Sequence, residues 1–128
     1  MAIVDNINYI LKTDRVFTLI AKFANSEEPK DLSAFVGASG DGLQLYLEGN
    51  NGDIILSLDD STDGRLQVLS AAAGLAGKVQ VTFKDAIDLR AGDGRNMELR
   101  IKEGAGPDFD LSCVPYEGKI NVKEKLFE

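Results

Sequence analysis

Six residues, Asp59-Asp60-Ser61-Thr62-Asp63-Gly64, place side-chain oxygens at positions 1, 3 and 5 and a glycine at 6. That spacing imitates the opening of a calcium-binding loop. Such a loop closes on a bidentate glutamate at position 12, and that place is held by Ser70. One hydroxyl does not replace two carboxylate oxygens, so the segment reads as a solvated β-turn. Residues 72–78 end in Gly77-Lys78, as a phosphate-cradling loop does. Ala72 stands where such a loop has its first glycine, and Val79 where it has the hydroxyl that holds magnesium, so nucleotide binding is not expected. Carboxylates are plentiful: Asp31, Asp41, Asp53, Asp85, Asp88, Asp93, Asp108 and Asp110 among them. Two of them at a fixed separation, one with a raised pKa, would suit glycoside hydrolysis. Asp41, Asp53, Asp93 and Asp108 instead stand beside glycine or proline, where aspartate serves turns and solubility.

The residue types exclude more than they offer. The chain has no histidine, no tryptophan and one cysteine. This removes Ser-His-Asp and Cys-His nucleophiles, histidine-based zinc sites and any intrachain disulfide. Cys113 follows Phe109 and Leu111 on one alternating face and reads as a buried structural thiol. No catalytic residue, metal or cofactor is expected. Tyr46 alternates outward, where it could stack on a ligand or pack on a neighbouring strand or protein.

Short apolar alternations, cut by Gly, Asn and Asp, must position whatever these residues do. Phe17, Leu19, Ala21 and Phe23 alternate with Val16, Thr18, Ile20 and Lys22. Leu43, Leu45 and Leu47 precede Gly49-Asn50-Asn51-Gly52, and Ile54, Leu56 and Leu58 follow it. Asn and Gly tolerate positive φ, so this predicts a hairpin. Leu66 and Val68; Val79, Val81 and Phe83; Met97, Leu99 and Ile101; Phe109 and Leu111; and Ile120 and Val122 continue the period of two. About eight or nine strands at this spacing mark an all-β sandwich or barrel. Residues 71–77 are small and fit a strand bulge, a loop or one helical turn.

The 128 residues suit one domain, and 14 basic against 21 acidic side chains leave a net charge of −7. Nucleic acid and anionic membranes repel such a surface, so neither is an expected partner. The first residues lack a basic segment and a long apolar run, so no secretory signal is expected.

Residues 1–13 form a segment of their own ahead of a domain at 14–128. Eight of the first eleven residues are apolar. The segment fits either an edge strand of its own sheet or an arm docked on another chain. As an arm it would make contact through Ile3, Val4, Ile7, Tyr9, Ile10 and Leu11, with Tyr46 as a further contact. Burying four such side chains would contribute about 6–10 kcal/mol before entropy losses.

The order of these pieces resembles a β-sandwich domain of bacteriophage tail and baseplate proteins. It is similar to the N-terminal domain of upper baseplate and tail-fibre attachment proteins. The resemblance runs over residues 14–123. It starts at Asp14-Arg15-Val16-Phe17-Thr18-Leu19 and passes through Asp31-Leu32-Ser33, which opens a strand in that pattern. Next come residues 54–58, the acidic turn 59–63 with Gly64, and residues 79–83. It continues through Ala86-Ile87-Asp88-Leu89-Arg90-Ala91-Gly92 and Met97-Glu98-Leu99-Arg100-Ile101, and closes on Tyr116-Glu117-Gly118-Lys119-Ile120-Asn121-Val122. In that family a long fibre or receptor-binding region usually follows the domain, and none is expected after residue 128 here.

The resemblance implies an immunoglobulin-like antiparallel sandwich with an N-terminal arm. It also implies a virion structural protein in the tail, baseplate or fibre-attachment region, made in the bacterial cytoplasm. Its expected partners are other virion structural proteins and further copies of itself. A capsid cement or decoration protein and a carbohydrate-binding module are the alternative expectations.

Overall fold

The computed structural model describes residues 6–20, 31–40, 42–72, 76–101 and 116–124. The alternations become eight strands among them. These are β1 (Asn6–Ile10), β2 (Arg15–Ile20), β3 (Leu43–Gly49), β4 (Gly52–Ser57), β5 (Gly64–Gln67), β6 (Lys78–Phe83), β7 (Gly92–Ile101) and β8 (Tyr116–Lys123). They lie in two sheets, ordered β1-β8-β7-β3-β4 and β2-β6-β5. Leu43, Leu45, Leu47, Leu56, Leu66, Val79, Val81, Phe83, Met97, Leu99, Ile120 and Val122 meet between the sheets as one core. The chain is an all-β sandwich. From β2 onward the strand order is that of a variable-type immunoglobulin domain, G-F-C-C′ against B-E-D.

One pairing departs from the expected antiparallel pattern. β1 runs parallel to β8, with Ile7 opposite Ile120 and Tyr9 opposite Val122. A parallel neighbour needs a long crossover, and here the whole domain lies between the two strands. Of the two readings of the N-terminal segment, residues 6–10 take the place of an edge strand in their own sheet. Ile3 and Val4 lie outside the described residues, as do Ala21, Phe23 and the 109–113 run with Cys113.

Two local expectations are corrected. Asp31-Leu32-Ser33 opens no strand. The Asp31 carboxylate accepts the Ser33 N–H at 2.9 Å, and residues Ser33–Phe35 coil into a 3₁₀ turn behind buried Leu32. An aspartate that bonds its own backbone two residues on turns the chain rather than extending it. The β3–β4 hairpin forms, yet Asn50 and Asn51 keep negative φ; Gly52 alone carries the positive value, +116°. The asparagines act through their amides. Asn50 Nδ2 donates to Asp88 Oδ1 at 2.8 Å and Asn51 Nδ2 to Asp88 Oδ2 at 3.2 Å, tying the hairpin to the β6–β7 connection. β8 begins at Tyr116, and β7 begins at Gly92 with a bulge between Gly92 and Arg95. Asn121 Oδ1 accepts the Gly94 N–H there at 2.9 Å.

In the small-residue stretch residues 71 and 72 are helical, and the Ala76 N–H donates to the Ala72 carbonyl at 3.3 Å. At the acidic turn, Lys84 Nζ meets Asp60 Oδ1 at 2.6 Å, and Ser61 Oγ donates to the Gly64 carbonyl at 2.8 Å. The lysine's hydrogen bond holds the Asp60 carboxyl below its ordinary pKa.

Tyr9 is the polar tip of the core. Its ring stands edge-on to Phe83 at 5.0 Å, and its hydroxyl donates to the Thr13 carbonyl at 2.6 Å. Burial raises its pKa above 10.0 because the phenolate would be poorly solvated. A group whose folded pKa is raised gives stability that is complete below its unfolded value. That stability is lost as pH rises through the folded value. Stability is therefore expected to fall above about pH 10. Urea unfolding across that range, with Tyr9→Phe as the variant whose alkaline loss is smaller, checks it.

Candidate interaction surfaces

Strand parity decides which of the expected contact residues can meet another molecule. On β1, Tyr9 points into the sandwich and is buried, while Ile10 points out and is 50% exposed. Leu11 packs against the core, and its N–H donates to the Lys123 carbonyl at 2.8 Å. Tyr9 and Leu11 are thus corrected from arm contacts to residues serving their own domain. The reason is that a paired edge strand must turn alternate side chains inward.

Sequence reading missed the other exposed apolar residues. Val16 is 55% exposed, Ile55 45% and Leu69 57%. Val16 lies on β2, Ile55 on β4, and Leu69 two residues beyond the end of β5. With Ile10 on β1, each of the four strands that border the sheets among the described residues carries or adjoins one exposed aliphatic side chain. Edge strands also present unpaired N–H and C=O groups, the usual template for adding another chain. The available signal was the parity of Val16 and Ile55 against their inward neighbours, read together with edge position; the latter is not written in the alternation.

Tyr46 lies on the outer face of the five-stranded sheet, opposite Ile55 on one side and Glu98 on the other. The Arg100 guanidinium sits 4.0 Å from its ring centroid, and Arg100 Nε meets Glu98 Oε1 at 2.6 Å. The Tyr46 hydroxyl donates to Gln44 Oε1 at 3.2 Å. A ring stacked by arginine is fixed in place and offers less of its face to a sugar. Tyrosine and arginine held side by side are the types that anchor protein interfaces.

The outer face of the three-stranded sheet is different. Register aligns Val16, Thr82 and Arg65, then Thr18, Gln80 and Gln67, then Ile20 and Lys78. Thr18, Gln67, Leu69, Lys78 and Gln80 enclose a shallow hollow of about 190 Å³. The Nε of Arg65 is shielded from solvent with no hydrogen-bond partner among the described residues. Strands β2, β5 and β6 contain Arg15, Arg65 and Lys78 and no acidic residue.

Several carboxylates serve turns and strand pairs. Asp31 and Asp88 act as described above, Asp14 Oδ1 accepts the Asp85 N–H at 2.9 Å, and Glu48 Oε2 accepts the Asn96 N–H at 2.6 Å. Among the described residues no three acidic, cysteine or histidine side chains gather as a cation cage, and no helix is long and apolar enough to cross a membrane. Asp41, Asp108 and Asp110 lie outside the described residues. No family model matches the chain, and no curated protein matches it.

Proposed function

We propose that the chain is a bacteriophage structural protein, working in the tail, baseplate or fibre-attachment region by binding other virion proteins and further copies of itself. The observation that carries the assembly part is the placement of Ile10, Val16, Ile55 and Leu69 at the sheet margins. Isolated apolar residues on a surface are ordinary. Their coincidence with border strands is what suits addition of a neighbour, most directly at Val16 and Ile55, since the Val68 carbonyl beside Leu69 accepts the Gly37 N–H and the Ile10 carbonyl accepts the Thr13 hydroxyl. The likeness of residues 14–123 to tail and baseplate sandwich domains supports the location. The acidic composition suits a virion component that must not adhere to packaged DNA.

The test is location. Particles produced with an epitope-tagged chain are expected to carry it at the tail, seen by immunogold electron microscopy, and the pair Ile10→Asp and Ile55→Asp is expected to abolish incorporation. Label on the head shell would assign the chain to capsid decoration instead. Particles that lack a chain found folded in the same lysate would refute the reading.

A further inference from the structure

We infer that the outer face of the three-stranded sheet docks on the β4 margin of a second copy, so that copies join head to tail; this rests on the assembly reading above. In a chain of net charge −7, strands β2, β5 and β6 hold three basic residues and no acidic one. Two of these, Arg65 and Lys78, belong to the outer face; the Arg65 Nε has no hydrogen-bond partner among the described residues, although Asp60 in the preceding turn lies within reach of its charge. Between them lie uncharged Thr18, Gln67 and Gln80, with Leu69 at the rim of the hollow.

The complementary surface needs an exposed aliphatic side chain beside carboxylates. Ile10 stands opposite Lys123, Val16 shares a row with Arg65, and Leu69 adjoins Lys78. Ile55 is the one exposed large apolar residue, among those described, that shares a strand face with an acid. Asp53 precedes it by two, and Glu48 is opposite Asp53. Seating Ile55 against Leu69 brings Asp53 and Glu48 towards the basic face, with Tyr46 at the margin of the contact.

The two surfaces are the outer faces of opposite sheets and point away from each other. One two-fold axis cannot bring both into the same contact, so the join is heterologous, and a rotation that does not close makes a filament or an open stack. The face is small. Three strands about 4.8 Å apart and about 20 Å long offer well under the ~800 Å² per partner of a standard interface. The contact is therefore weak for one pair and strong only when repeated.

Sedimentation velocity of the full chain, from about 10 μM to about 1 mM, is expected to show species larger than a dimer. Lys78→Glu and Asp53→Lys are each expected to weaken self-association about tenfold, and an equimolar mixture of the two to restore it. Both positions are exposed, so each variant should keep the wild-type circular dichroism spectrum. A wild-type chain that stays monomeric at the highest concentration overturns the contact. So do a species that stops at the dimer, association unchanged by both substitutions, or a mixture that fails to recover. None of these removes the assembly reading, which falls on absence from particles.

Discussion

Phe83→Ala is expected to lower the unfolding free energy by about 3–5 kcal/mol, read from urea denaturation with an unchanged slope. Phe83 is the last residue of β6 and is fully buried. Its ring receives Tyr9 edge-on from one sheet, and Phe17 edge-on at 4.9 Å from its own. It therefore joins β1, β2 and β6 at one point. Removing it forfeits the apolar transfer energy and two aromatic contacts worth about 0.5–1.5 kcal/mol each. It also leaves a void that no neighbour fills without leaving its own strand. A domain of ordinary stability, about 5–15 kcal/mol, loses at least about a fifth of its margin.

Gly64→Ala is expected to cost about 4 kcal/mol or more and to leave little folded protein at growth temperature, checked by soluble yield and thermal unfolding. Gly64 opens β5 opposite Phe83, at φ +151°. A β-carbon there would lie 2.1 Å from the Thr82 carbonyl oxygen, which is backbone within a paired strand. Relief requires β5 to part from β6. Gly52→Ala is the control. It also has positive φ, +116°, but nothing lies within 4 Å of the added carbon. Its expected cost is the conformational strain alone, about 1–2 kcal/mol.

Alternation made β3, β6 and β7 legible because their inward leucines, valines and methionine face a continuous core, and a one-residue slip would expose them all. The same signal could not say which strands are neighbours. The parallel partner of β1 is more than a hundred residues away, and nothing in Ile7 or Tyr9 encodes Ile120 or Val122. Apolar content made residues 3–11 look like one contact surface, whereas pairing with β8 divides Tyr9 from Ile10. The Asp31 turn was missed because a single carboxylate-to-amide bond outweighs the local extended preference and leaves no periodic mark. The basic character of the three-stranded sheet was hidden by the overall charge, since Arg15, Arg65 and Lys78 enter one sheet only in the fold.

The parallel β1–β8 ladder gives the domain a mechanical orientation. Tension pulling the start of β1 away from the end of β8 would slide the two strands lengthwise. Every rung of that ladder would bear load at once, instead of parting one after another as in a peeled hairpin. A body tethered by its two ends in this way resists stretching far better than it resists being pried open sideways.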